Sequence, residues 1–228
     1  MKLKGLIFDF DGLVIDTESP AFKGLQRVYQ RYGMDLREET FGKIVGTHSH
    51  ADFHEYKTLA NSLPVGTLSE ADFYEMYQAE KESEYKHMFV LPGVREMIGN
   101  AKVYGLRLAI ASSSSASWVN RFLLQFGLDG LFDQVITNDL VKQVKPEPDL
   151  FLLAQKKLGL AKDELVIFED SNNGVIAANR AGIHVVLIPN PVTKHLQITG
   201  YSIRVNSMAE LTLEQLDDLV SGASPSYY

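Results

Sequence analysis

Two aspartates lie two positions apart in Asp9-Phe10-Asp11-Gly12, directly after the apolar run Leu6-Ile7-Phe8. In an extended chain that spacing turns both carboxylates to one side. Asp and Gly also make ordinary turns, so the tetrapeptide alone does not separate a turn from a site. The preceding run adds a constraint: acids leaving a buried strand together repel unless a cation or hydrogen-bond donors compensate. A second apolar run ends in Ala111-Ser112-Ser113-Ser114-Ser115. Serines are common loop formers, but hydroxyl and backbone N–H groups near a helix start also bind phosphate. Ser112, the first polar residue off the run, is the first choice for that role and Ser113 the second. In Lys145-Pro146-Glu147-Pro148 the prolines restrict the residues before them, which suits an ammonium held in place. Phe168-Glu169-Asp170-Ser171-Asn172-Asn173-Gly174 ends a further run with two acids and two amides. Acids at the exits of two parallel strands can converge, and their hard oxygens suit Mg²⁺.

The elements between these clusters say how they are positioned. Leu6–Phe8 reads as a buried strand. Ser19-Pro20 reads as a helix start, with Ser as the cap and Pro at the first helical position. Ala21, Phe22, Leu25, Val28, Tyr29 and Tyr32 then recur at helical spacing. Helical patterns continue over about 37–45 and 50–62, and Ser69-Glu70-Ala71-Asp72 resembles a capping box opening a helix to about His87. From Leu91-Pro92-Gly93 onward helices alternate with strands: 93–104, Leu106–Ser112, 117–126, Asp133–Thr137, 149–158, Leu165–Phe168, 174–181 and His184–Ile188. A short strand at Tyr201–Val205, a helix over 208–220 and a frayed tail complete the chain. Such alternation predicts right-handed crossovers and a parallel α/β sheet covered by helices on both faces. The division expected is a core of residues 1–16 and 88–228 and a helical insert of residues 17–87. Ligands of open α/β sheets bind outside the carboxyl ends of the strands, so the insert is placed as a lid.

Composition narrows the function. The 228 residues carry 22 Lys+Arg against 29 Asp+Glu, a net charge of −7, and this acidic balance argues against nucleic-acid and anionic-membrane partners. With no Cys there is no disulfide, thiol nucleophile or Cys-based metal site. The N-terminal apolar stretch reaches Asp9 too soon for a signal peptide, and no run approaches the roughly 20 apolar residues of a membrane span. A cytoplasmic monomer is expected.

Four polar clusters in the order Asp/Asp, Ser, Lys, Glu/Asp around one sheet edge resemble the four motifs of the haloacid dehalogenase superfamily, carried here by Asp9-Phe10-Asp11-Gly12, Ser112, Lys145 and Glu169-Asp170. The insert resembles that family's α-helical cap. Leu91-Pro92-Gly93-Val94 and Gly174…Ala177-Ala178…Ala181-Gly182 are similar to the β-phosphoglucomutase-like phosphatase branch. The resemblance implies a Rossmann-like core and a phosphatase of small phosphorylated metabolites that works through an aspartyl-phosphate. In that mechanism Asp9 attacks phosphorus and Asp11 protonates the leaving alcohol, then deprotonates water. Mg²⁺ is held by Asp9, Asp170 and the Asp11 carbonyl, with Glu169 and Asn173 as ligands or as supports behind them. Lys145 and Ser112, with Ser113, hold the phosphoryl oxygens. Thr17, Glu18, Thr47 and His48 are expected to face the substrate.

Rival readings come from the same residues. A phosphosugar mutase resembling β-phosphoglucomutase would carry a cap His and a cap Arg, where this chain has Ala21 and Ser49. Phosphonate hydrolysis would need a Schiff-base lysine, for which Lys23, Lys43 and Lys57 qualify only by position. A phospho-acceptor signalling module is about half this length and has no such insert.

Overall fold

Leu6, Ile7 and Phe8 are apolar without alternation, as a strand covered on both faces requires. In the computed structural model, which describes residues 1–42, 54–64 and 66–222, strand β1 (Gly5–Phe8) is buried throughout. It lies inside a six-stranded parallel sheet of order β3-β2-β1-β4-β5-β6. The other strands are β2 (Arg107–Ala111), β3 (Gln134–Ile136), β4 (Leu165–Glu169), β5 (His184–Leu187) and β6 (Ile203–Arg204). Alternate strand residues feed two cores. Leu6, Phe8, Leu108, Ile110, Val166 and Phe168 enter one face, covered by α5 (Val94–Val103), α6 (Ala116–Gln125) and α9 (Leu213–Ser221). Ile7, Ala109, Ala111, Leu165 and Ile167 enter the other, covered by α7 (Asp149–Leu158) and α8 (Asn172–Ala181).

Register sets the site. Phe8 pairs with Ile110 on one side and with Phe168 on the other. One residue further along all three strands, Asp9, Ala111 and Glu169 share a level, and the Asp9 N–H donates to the Phe168 carbonyl at 3.0 Å. The order reverses around β1, since β2 and β3 lie to one side and β4 to β6 to the other. That is the place where parallel sheets open a crevice.

Among the described residues, four α-helices separate β1 from α5: α1 (Glu18–Arg31), α2 (Glu38–Gly42), α3 (His54–Ala60) and α4 (Glu70–Glu84). They bury their own cluster, including Phe22, Leu25, Val28, Tyr29, Leu59 and Phe73, into which Val192 of the loop after β5 also packs. The segments that lead into and out of these helices run side by side. Asp16 N–H donates to Phe89 O at 3.1 Å, Leu91 N–H donates to Val14 O at 3.0 Å, and Ile15 and Val90 form an antiparallel bridge.

Several local expectations shift. Helix α1 begins at Glu18, and its first turn is capped by Asp16, whose Oδ1 accepts from Ser19 N at 3.1 Å; Ser19 and Pro20 lie inside the turn. Ser69 does cap α4, accepting from Asp72 N at 3.1 Å. The helix expected over 208–220 is two elements, a 3₁₀ turn at Met208–Glu210 and α9. The break is a capping box in which Thr212 accepts from Gln215 N at 3.2 Å and Thr212 N donates to Gln215 at 2.8 Å. Residues 43–53, 65 and 223–228, where parts of the expected helices over 37–45 and 50–62 and the expected tail fall, lie outside the described residues.

Candidate active site

Asp9 leaves β1 at the sheet's carboxyl edge and is buried there. Lys145 reaches it from the loop before α7, across a cis Lys145–Pro146 peptide, and its ammonium also stands 2.7 Å from Glu169 Oε1. Glu169, the last residue of β4, is fully buried, and its Oε2 accepts from Asp170 N, Ser171 N and Ser171 Oγ at 3.0–3.2 Å. Helix α8 starts directly over that carboxylate, so a Cβ on Gly174 would overlap the Glu169 carboxyl group. Asp9, Glu169 and Asp170 bring one oxygen each to within 4.8 Å of one another.

Electrostatics follow from this crowding. Burial pushes the Asp9 carboxyl up to about 7; Lys145 opposes the rise and Glu169 and Asp11 add to it. Asp170 is raised well above the carboxylate range by burial, and then by Asp9 and Glu169. Burial pulls Lys145 down, but Asp9 and Glu169 more than reverse it, so its ammonium is held above the ordinary lysine range. Three buried carboxylates face one buried ammonium, a charge deficit that a cation would fill.

Asp11 points elsewhere. Its Oδ2 accepts from Ser114 Oγ at 2.7 Å and Ser112 Oγ at 3.3 Å, and its Oδ1 accepts from the Trp118 indole N–H at 2.8 Å. Ser112 is buried, and its hydroxyl also accepts from Ser114 N at 3.0 Å. The Ser113 hydroxyl is buried with no hydrogen-bond partner among the described residues. The structure therefore brings Asp9, Lys145, Glu169 and Asp170 together, with Asp11 beside them and Ser112 bonded to Asp11.

Glu18, in the first turn of α1, faces this cluster. Burial lifts it to about 8, followed by repulsion from Asp11, Asp9 and Asp16, with Lys81 of α4 opposing. Lys81 is lowered by burial, against the pull of Glu18. The Thr17 hydroxyl is buried without a partner among the described residues. Asn173 occupies the first turn of α8, half-buried. Thr47 and His48 lie outside the described residues.

Sequence reasoning missed Asn190. Its Nδ2 donates to Asp170 Oδ2 at 2.6 Å, while its Oδ1 accepts from Val192 N at 2.8 Å and Thr193 N at 3.0 Å. Gly12, at φ +76°, lies under this pair: a Cβ there would come within 2.5 Å of both Asn190 Nδ2 and Asp170 Oδ2. The available signal was position, since Asn190-Pro191 follows β5 at the same sheet edge as the other clusters. Ser114 and Trp118, which donate to Asp11 alongside Ser112, were not singled out either.

A family model of haloacid dehalogenase-like hydrolases matches residues 6–188. The protein named "Putative phosphatase YhcW" of Bacillus subtilis is 40% identical over 219 residues, covering 95% of this chain and 97% of its own. The phosphorylated carbohydrates phosphatase of Thermotoga maritima is 31% identical over 188 residues, covering 79% of this chain and 82% of its own. Among solved structures, a haloacid dehalogenase hydrolase of Entamoeba histolytica (family IA, variant 3) superimposes with a TM-score of 0.74 at 26% identity, over 96% of this chain and 100% of that one.

Proposed function

The chain belongs to the haloacid dehalogenase-like hydrolases and is a phosphoric monoester hydrolase; on that footing we propose that it hydrolyses small sugar phosphates or related metabolites, with Mg²⁺, through an aspartyl-phosphate on Asp9. The observation that carries this reading is Asp9 at the end of the central strand, in contact with Lys145 and within reach of Asp170. The two relatives named as phosphatases, one of them for phosphorylated carbohydrates, support the substrate class.

The donor set fits Mg²⁺: three buried carboxylates offer hard oxygens and a surplus of negative charge. Asp9, Asp170 and the Asp11 carbonyl would hold the ion. Glu169, engaged by Lys145 and by the loop N–H groups, supports them from behind. When bound, the ion supplies charge that offsets the repulsion between Asp9 and the phosphate.

The chain's own groups divide the remaining work. An Asp9 oxygen attacks phosphorus in line, forming the acyl-phosphate bond as the ester P–O bond breaks. Asp11 gives its proton to the departing alkoxide and then takes one from the water that hydrolyses the intermediate. Lys145 and the Ser112 and Ser113 hydroxyls hold the phosphoryl oxygens as charge develops on them. Residues 17–87 act as a cap over a core of residues 1–16 and 88–228, with Thr17, Glu18, Thr47 and His48 toward the substrate. Among the described residues no helix is long and apolar enough to cross a membrane. A cytoplasmic monomer acting on small phosphorylated metabolites remains our reading.

Phosphate release is the test, screened over sugar phosphates, nucleotides and small esters with Mg²⁺ and again in excess EDTA. Release from several sugar phosphates that disappears in EDTA is expected; full activity in EDTA after metal-free preparation overturns the metal assignment. A mutase would instead convert β-glucose 1-phosphate, given catalytic glucose 1,6-bisphosphate, to glucose 6-phosphate faster than it releases phosphate. Ala21, where the mutase His would fall, favours the hydrolase.

A further inference from the structure

Asp11 has the most mobile task in the reaction proposed above, yet its carboxylate is fixed at three points. Two are the Ser112 and Ser114 hydroxyls; the third is an indole. Trp118, the single Trp of the chain, directs its Nε1–H to Asp11 Oδ1 at 2.8 Å from the first turn of α6. An indole nitrogen is a donor only, so this contact holds a carboxylate oxygen in one direction and cannot itself exchange a proton with it.

The indole is held in turn. Its ring meets Phe122 edge-on at 4.6 Å and Tyr85 at 5.4 Å. Tyr85 belongs to the 3₁₀ turn Tyr85–His87, the segment by which the chain returns from α4 to the core. Arg121, one turn along α6 from Trp118, pairs with Glu82 of α4 at 2.9 Å and lies over the Tyr85 ring at 5.8 Å. The same face of α6 thus touches both Asp11 and the end of the helical insert.

We infer that Trp118 is a positioning residue for Asp11, fixing the carboxylate through its indole N–H and joining it, through Tyr85, to the segment that carries the insert back to the core. The inference rests on Asp11 being the acid–base group of the proposed hydrolysis. Trp118 touches no reacting atom; it acts through Asp11 alone.

Trp118→Phe removes the N–H and keeps a ring against Tyr85 and Phe122. Losing one hydrogen bond to a charged group should lower kcat about tenfold, with KM within about twofold of wild type. With p-nitrophenyl phosphate, whose leaving group needs no proton, phosphorylation should be spared and hydrolysis slowed. A burst of p-nitrophenolate approaching one per active site, larger than in wild type, is then expected. A purely structural role would lower the unfolding temperature without producing the burst. The contact is read separately by tryptophan emission, which reports on Trp118 alone. In Asp11→Ala the released indole should emit at shorter wavelength than in wild type. A folded Trp118→Phe with kcat within twofold of wild type and no larger burst overturns the inference, as does Asp11→Ala emission that superimposes on wild type. If the wild type releases no phosphate from any ester, the hydrolase reading itself fails, and the inference with it. An active wild type beside an unaltered Trp118→Phe overturns the inference alone.

Discussion

Asn190 donates its amide to Asp170 at 2.6 Å and thereby ties the loop after β5 to the loop after β4. The carboxylate so oriented is one of the two proposed to grip Mg²⁺. The amide itself is fixed by the backbone N–H groups of Val192 and Thr193, so it cannot turn away without breaking both bonds.

Asn190→Ala should therefore act on the metal rather than on the chemistry. Loss of such an orienting partner typically costs about 10–100-fold in metal affinity. The Mg²⁺ concentration for half-maximal turnover is expected to rise by about tenfold or more, with most of kcat recovered at saturating Mg²⁺. Mg²⁺ titrations of phosphate release check this.

Asp9→Asn keeps the shape and removes the attacking carboxylate. Turnover should fall by about 10³-fold or more, with an unchanged circular dichroism spectrum. Asp11→Asn should separate the two half-reactions, still accepting phosphate from esters with good leaving groups but hydrolysing the phosphoenzyme slowly. Rapid-quench trapping of labelled phosphoenzyme distinguishes the two variants.

Glu18 gives stability a pH dependence. Its folded value, about 8, lies above the ordinary 4.5, so the folded state holds a proton that the unfolded state has released across that window. Stability from this group is complete below the unfolded value and is lost as pH rises through about 8. In EDTA the melting temperature is expected to fall between about pH 5 and pH 8, and Glu18→Gln should flatten the decline. Thermal melts of both proteins across that range decide it.

Gly174→Ala should be severe for a residue that contacts no substrate. Its Cβ has no space beside the Glu169 carboxyl group, and Glu169 is locked by Lys145 and by three donors of its own loop. A destabilisation of about 2–4 kcal/mol is expected, in the range of overpacking at a buried polar network. Urea unfolding measures the loss, and Gly99→Ala, on the exposed side of α5 with open space around it, supplies the mild comparison.

Much of the site was legible because a parallel sheet delivers every strand's carboxyl end to one edge. Once the alternation of strands and helices is read, Asp9, Ser112, Lys145 and Glu169-Asp170 must lie on the same side. Strand order was not legible: nothing in Leu6-Ile7-Phe8 says that β1 lies between β2 and β4, which is what sets Asp9 level with Glu169. Asn190 was hidden because Asn-Pro is an ordinary turn pair. Trp118 was hidden because an aromatic in the first turn of an amphipathic helix looks like core, and its polar edge shows only when Asp11 is in place beside it. The start of α1 was misplaced for a related reason. Ser19-Pro20 has the composition of a cap, but the side chain that reaches the free N–H belongs to Asp16, the residue paired through its backbone with Phe89.

The bridge between Ile15 and Val90 bears on how freely this architecture can be re-engineered. Because the chain departs and comes back through neighbouring backbone positions, the sheet is closed beneath the junction whatever the length of polypeptide spliced in above it. A two-residue hairpin suffices to join antiparallel neighbours of this kind. The helices could be traded for a short turn, or for a foreign module with adjacent termini, without unpairing a single strand. On the proposed cap reading, selectivity in such a scaffold would be exchanged by transplantation while the residues proposed for phosphoryl transfer keep their places in the sheet beneath.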